Sequence, residues 1–150
     1  MSKISQFVGF KLGKEKYAID IMVIEEILRK TEITPVPKAP DFIQGIINIR
    51  GRVIPVVDLK NKLNLGMVDD SQTSRIIITN IGGKKVGFLV DEVDEVLRIE
   101  KDIIEDAPAL AVNIDSQYIK GVAKTEGGMV ILLDITKIFS PFEQKQFNSF

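Results

Sequence analysis

The 150-residue chain predicts a mainly β protein, two tandem five-stranded barrels packed side by side, with short helices and a C-terminal helix. Three observations point there. The sequence contains itself twice: Glu26-Ile27-Leu28-Arg29 returns as Glu95-Val96-Leu97-Arg98, and the stretch from Gly45 through Gly51 to Asp58-Leu59 returns from Gly121 through Gly127 to Asp134-Ile135. The separations are 69 positions (26 to 95) and 76 positions (45 to 121), so the copies are collinear apart from seven extra residues in the second, around Ala107 to Ser116. That period exceeds the ~20–50 residues of a stacked solenoid unit and describes two similar modules. Second, nearly every apolar run is short, rich in Ile and Val and closed by a turn residue, as strands are. Third, Val53 to Val57, Arg75 to Ile78 and Met129 to Leu133 are apolar at successive positions, so both faces of those strands need cover. The natural cover for one barrel is the other.

Taken in order, strands are expected at about Ile4–Leu12, Lys16–Asp20, Glu26–Ile33, Gly45–Ile49 and Arg52–Val57, then at Arg75–Ile81, Lys84–Val90, Glu95–Ile99, Ile119–Thr125 and Gly128–Leu133. Gly13-Lys14, Gly51, Gly82-Gly83 and Gly127-Gly128 suit tight hairpins, which pair neighbours antiparallel. Five such strands close most economically into a barrel of SH3-like or OB type. The barrels are expected to follow the copies, over about 14–68 with terminal elements added and about 74–140, joined by a polar linker at about 67–74.

Helix is minor. Asp20, Asp58 and Asp134 stand where an N-cap carboxylate accepts free amides, and Ser140-Pro141-Phe142-Glu143 reads as a capping box that opens a terminal helix. The prolines of Thr34 to Pro40 push their predecessors out of helical space, which predicts an extended strap.

Composition removes most chemistry. With no cysteine there is no disulfide or thiolate zinc site, and with no histidine the commonest general base and metal ligand are gone. Paired carboxylates at Glu25-Glu26, Asp69-Asp70 and Asp91-Glu92 have no catalytic partner, and Gly82 to Gly87 lacks the Lys-Ser/Thr of a phosphate loop. Lys124 sits in a strand pattern and not in a carrier-lysine motif. Neither an enzyme nor a cofactor is expected. A net charge of −1, no tryptophan and two tyrosines argue against a nucleic-acid groove. No signal peptide or membrane span is legible, so the cytoplasm is the default.

Arg50 stands apart, because it occupies a hairpin corner where the second copy has Glu126. Pro55 also departs, matching Ile131, and a residue that cannot donate to a ladder predicts an edge. Gly45/Gly121 and Asp58/Asp134 are shared and read first as turn and cap chemistry.

Asn48-Ile49-Arg50-Gly51 followed by Ile54-Pro55-Val56-Val57-Asp58-Leu59, preceded by Ile33-Thr34-Pro35-Val36-Pro37 and Phe42-Ile43, resembles the CheW family of chemotaxis coupling proteins. Val86-Gly87-Phe88-Leu89-Val90-Asp91 continues the likeness, which runs from about Gln6 to Phe139. The resemblance implies a non-enzymatic adaptor of two SH3-like barrels, joining the cytoplasmic tip of transmembrane chemoreceptors to the regulatory domain of the histidine kinase CheA. It implies a receptor groove between the barrels that involves Arg50 with Glu26 as its ion-pair partner, contacted or supported by Ile24, Gly45, Val86, Gly87 and Phe88. Ile21, Val23 and Ile27 are candidates for the kinase contact, and Asp58 and Asp134 are structural caps. Recruitment to membrane arrays would then run through protein contacts, with no direct membrane insertion.

Overall fold

The computed structural model describes residues 3–68, 71–105, 118–140, 143 and 145. Among these residues the strands are β1 (Ile4–Leu12), β2 (Glu15–Asp20), β3 (Ile24–Arg29), β4 (Ile43–Ile49), β5 (Arg52–Asp58), β6 (Arg75–Ile81), β7 (Lys84–Val90), β8 (Glu92–Glu100), β9 (Ile119–Thr125) and β10 (Gly128–Leu133), with an α-helical turn, α1 (Leu59–Lys62), 3-10 turns at Ile21–Val23, Lys101–Ile103 and Ile135–Lys137, and helical backbone at Glu143 and Lys145. They form two five-stranded sheets, in the orders β8-β1-β2-β10-β9 and β3-β6-β7-β5-β4.

Each sheet wraps its own core. Phe7, Ala18, Ile99, Ala123, Val130 and Leu132 draw on all five strands of the first sheet. In the second, Ile47, Ile54, Val56, Ile76, Ile78 and Leu89 form the core with Leu28 packed against it, again from all five strands. A sheet whose every strand meets one internal cluster is curled, and the fold is a pair of SH3-like barrels.

A third and larger cluster lies between the barrels. It joins Phe10, Leu12, Tyr17, Ile19, Ile131 and Leu133 of one sheet to Val57, Ile77, Val86, Phe88 and Val90 of the other, with Phe139 stacked on Phe88 at 6.1 Å between ring centroids. Alternation explains the successive apolar positions: in β10, Val130 and Leu132 face the barrel interior while Ile131 and Leu133 face the neighbouring barrel. The Tyr17 hydroxyl donates to Glu15 Oε2 at 2.5 Å, which satisfies its polar end at the margin of this core. Burial first, then Glu15, pushes the phenol well above its usual range.

The barrels do not follow the copies. Each takes the first two strands of one copy and the last three of the other: β1 and β2 sit with β8 to β10, and β6 and β7 sit with β3 to β5. The expected division into about 14–68 and about 74–140 therefore does not separate the sheets. The repeat itself stands, since β8, β1, β2, β10 and β9 occupy the places of β3, β6, β7, β5 and β4. The hairpins are exchanged, and each is joined to the other copy by a parallel contact of three residue pairs, Tyr17 to Ile19 with Ile131 to Leu133 and Val56 to Asp58 with Gly87 to Leu89.

Local expectations fare better, with three differences. β3 stops at Arg29, short of Ile33, and after four residues outside any strand Thr34 pairs with Ile46 as an isolated bridge. The segment Thr34 to Pro40 is not extended throughout: it turns at Pro37-Lys38, with Lys38 at φ 63° and Ala39 N donating to Val36 O at 3.2 Å. Gly45 and Gly121 lie inside strands and not in turns. A Cβ on Gly45 would overlap the Thr34 carbonyl and lie 2.7 Å from Ile33 Cγ2, and one on Gly121 would lie 2.5 Å from Ile104 Cγ2. At both places a neighbouring segment crosses so closely that it exchanges paired backbone bonds, Thr34 with Ile46 and Glu105 with Val122.

The caps are where the sequence puts them. Asp20 Oδ1 accepts from Met22 N at 2.9 Å and Asp134 Oδ1 from Thr136 N at 3.1 Å. Asp58 is buried and binds twice, Asn61 N at 3.0 Å and Val68 N at 2.9 Å, so it also pins the chain that leaves α1. Ser140 and Glu143 form the reciprocal capping box at 2.9 and 3.1 Å. Phe142, Phe147 and Phe150, Asp69-Asp70 and the insertion around Ala107 to Ser116 lie outside the described residues. No helix among the described residues is long and apolar enough to cross a membrane.

Gly45→Ala and Gly121→Ala are each expected to lower unfolding stability by about 1–3 kcal/mol through overpacking, because the obstructing atoms include backbone. Urea titration against a Gly87→Ala control, where the nearest obstruction is the Ile76 side chain at 2.9 Å, checks this.

Candidate protein-binding site

The β4–β5 hairpin turns in two residues, since Ile49 and Arg52 are the last pair, and Arg50 and Gly51 carry φ of 51° and 82°. Two successive positive φ values make a type I′ turn, which fits the twist of the flanking strands. Asn48 Oδ1 accepts from Gly51 N at 3.1 Å and fixes the corner. The β6–β7 hairpin repeats the device: Asn80 Oδ1 accepts from Gly83 N at 2.9 Å, with Gly82 and Gly83 at 58° and 86°. In one turn the first position is glycine, at ease there; in the other it is arginine, for which left-handed backbone is unfavourable.

What the arginine gains is Glu26. Its guanidinium holds that carboxylate through two bonds, Nη2 to Oε2 at 2.6 Å and Nη1 to Oε1 at 3.2 Å. β3 and β4 stand at opposite ends of the sheet order, so the pair clasps the seam where the barrel closes. Arg50 is 72% exposed and Glu26 30%, so the clasp sets geometry more than it adds stability.

A bulge in β3 supplies a second carboxylate. The ladder to β6 slips between Ile24 and Glu26, which leaves Glu25 as the extra residue, and a bulge re-aims side chains. Glu25 meets Lys85 Nζ at 2.8 Å and Asn80 Nδ2 at 3.3 Å, on the strands beyond. The bond from Arg50 holds the Glu26 carboxyl below the ordinary glutamate range, and the bond from Lys85 does the same to Glu25.

The other candidates divide by burial. Ile24 packs at the edge of the inter-barrel core, two residues from Glu26. Val86 and Phe88 are buried in that core, and Gly87 leaves room for Ile76. Gly45 lets the Thr34 segment cross. Of Ile21, Val23 and Ile27, Val23 packs inward while Ile27 is 40% exposed on β3. Ile21 lines a shallow depression with Ile4, Met22 and Arg98.

Sequence reasoning passed over Met22, the most exposed large apolar side chain described, at 85%. It is the middle residue of the tight 3-10 turn Ile21–Val23 that carries the chain from one barrel to the other. The signal was Asp20 as a cap, because a single capped turn throws its middle residue outward. Among the described residues no cluster of acidic side chains is arranged to hold a metal ion.

The profile of the CheW-like domain family matches residues 6–143. The chain belongs to that family. It is 36% identical over 138 residues to the chemotaxis protein CheW of Klebsiella aerogenes, covering 92% of this chain and 83% of the relative. It is likewise 36% identical over 144 residues to the chemotaxis protein CheW of Thermotoga maritima, covering 94% and 91%. Among solved structures it superposes on the scaffolding protein TtCheW of Thermoanaerobacter tengcongensis with a TM-score of 0.84 and 39% identity, covering 93% of this chain and 90% of that one. The two-barrel fold derived above is thus shared with an experimentally determined relative.

Two predictions follow from the clasp and the core. Glu26 has a depressed folded pKa, so its contribution is present above the unfolded glutamate value and is lost as pH falls through the lower folded one. Arg50→Ala should return the Glu26 titration, read by carboxyl NMR, toward the ordinary glutamate range while Glu25 keeps its depression. Phe88→Ala, in contrast, should cost about 3–5 kcal/mol in urea unfolding, because it hollows the inter-barrel core.

Proposed function

We propose that this chain is a chemotaxis coupling protein that joins the cytoplasmic tips of transmembrane chemoreceptors to the histidine kinase CheA, without catalysis of its own. The observation that carries this reading is the Arg50–Glu26 clasp beside Ile24, on a chain of the CheW-like domain family. The relatives named above are chemotaxis and scaffolding proteins, and an adaptor needs shaped apolar surface and fixed charge more than reactive groups.

On this reading a helical receptor tip lays apolar anchors at i, i+3, i+4 and i+7 along the boundary of the barrels near Ile24, with Arg50 and Glu26 setting its register. Gly45, Val86, Gly87 and Phe88 give that boundary its shape from below. The regulatory domain of CheA docks on apolar surface at the barrel end formed by Ile21, Ile27 and the projecting Met22. The protein works in the cytoplasm and reaches the membrane only through its partners.

Reconstitution tests this directly. With receptor cytoplasmic fragments and CheA present, adding the protein should change CheA autophosphorylation, and Arg50→Ala should weaken apparent receptor affinity roughly tenfold while the thermal unfolding profile stays intact. Met22→Glu should weaken the CheA contact and spare receptor binding. Unchanged kinase activity on adding the wild-type protein would rule the reading out.

A further inference from the structure

The repeat supplies an internal comparison for the Arg50 clasp. Lys16, Asp94 and Glu95 are the counterparts of Lys85, Glu25 and Glu26, each 69 positions away, and Glu126 stands for Arg50 at 76. In both barrels the lysine crosses a strand to reach its carboxylates, β6 in one and β1 in the other, and in both the ladder slips at that place.

The lysines differ in what they hold. Lys16, whose barrel has an acidic residue at the corner, spans both carboxylates, Asp94 Oδ2 at 3.5 Å and Glu95 Oε1 at 3.4 Å. Lys85, whose barrel has an arginine there, holds Glu25 at 2.8 Å and leaves Glu26 to Arg50. The barrel with Glu126 therefore shows this corner as it stands without an arginine. Its sheet still wraps a core drawn from all five strands, so closing a barrel does not require one. Arg50 also keeps a left-handed backbone, φ 51°, where the β6–β7 turn has glycine. An unfavourable φ retained under a guanidinium that is 72% exposed marks a functional position.

Lys85 is placed to do for Glu26 what Lys16 does for Glu95. It has already crossed β6 to reach Glu25, so the remaining move is from one carboxylate to its neighbour along β3. The Arg50 bond does most to lower the Glu26 carboxyl, and the charge of Lys85 adds to it. Arg52 acts on Glu25 through charge alone.

We propose that Arg50 is a detachable cation, which leaves Glu26 for a carboxylate on a helical partner while Lys85 shifts to span Glu25 and Glu26 in its place. The exchange keeps both carboxylates paired, so releasing the guanidinium strands no charge. Arginine suits the outward role because its planar fork grips a carboxylate by two bonds. Lysine suits the stand-in, since its ammonium is a point charge on a flexible stem that two acceptors can share. The handover of Arg50 rests on the coupling reading; the takeover by Lys85 does not.

Ammonium NMR on the full-length protein tests both. In the wild type, coupling across the hydrogen bond should join Lys85 Nζ to the Glu25 carboxyl, with Lys16, joined to Asp94 and Glu95, as reference in the same sample. Arg50→Ala should add a coupling from Lys85 to Glu26. Lys85→Ala combined with Arg50→Ala should lower the urea midpoint by more than the two single variants together. A receptor cytoplasmic fragment added to the wild type should produce the same Lys85–Glu26 coupling, and Lys85→Ala should weaken that complex about two- to fivefold. Arg50→Ala spectra that leave Lys85 on Glu25 alone, or additive losses in urea, would overturn the takeover whatever the fragment does. Binding with Arg50 still on Glu26 would overturn the handover. A fragment that fails to bind the wild type removes the coupling reading and the handover with it.

Discussion

Everything in this molecule leans on the apolar layer between its barrels. The middle three strands of each sheet contribute a face to it, from Phe10, Tyr17 and Ile131 on one side to Ile77, Phe88 and Val57 on the other. Each barrel alone is a small body with a core of about six fully buried residues, too little to hold a domain of this size securely. Sharing a layer turns two marginal modules into one body. The outer strands β3, β4, β8 and β9 add one residue each, Ile24, Ile43, Val93 and Ile119, and β3 also carries the exposed Ile27 and the Glu26 side of the clasp.

Features that depend on a few neighbouring residues were legible in the sequence: nine-residue β1, the two-residue turns, and the aspartate caps all stand where spacing puts them. So was the need for cover on both faces of the Ile131 and Ile77 strands. The exchange of hairpins was not legible, because a repeat reveals which strands are equivalent and says nothing about which copy supplies the neighbour. That choice rests on the antiparallel ladders of β1 with β8 and β3 with β6 and on two short parallel contacts, whose residues look the same whichever barrel they enter. The turn at Lys38 was hidden in the same way, since proline sets its own φ and restrains its predecessor but leaves the residue after it free.

The candidate site was legible in part. Arg50 and Glu26 are far apart in sequence and meet as the resemblance implies. Burial was harder to read: Val86 and Phe88 belong to continuous apolar runs, and only the alternation of faces shows that they point toward the other barrel. Glu25 needed a bulge to reach Lys85, and bulges leave little trace in a pattern of Ile and Glu. Asn48 and Asn80 each stand just before a two-residue turn and bond to its second amide. Their shared role explains why one turn tolerates arginine, since the asparagine bond holds the corner whichever side chain occupies it.

The exchange of hairpins has a consequence for how the chain is made. One barrel is continuous, from Ile24 to Val90, and can close as soon as that stretch has left the ribosome. The other is split: its first hairpin precedes the continuous barrel in the chain, and its neighbours β8 to β10 follow that barrel. β1 and β2 must wait with their greasy side unclaimed while the whole of the other barrel is synthesised, and their sheet closes only when β8 to β10 arrive.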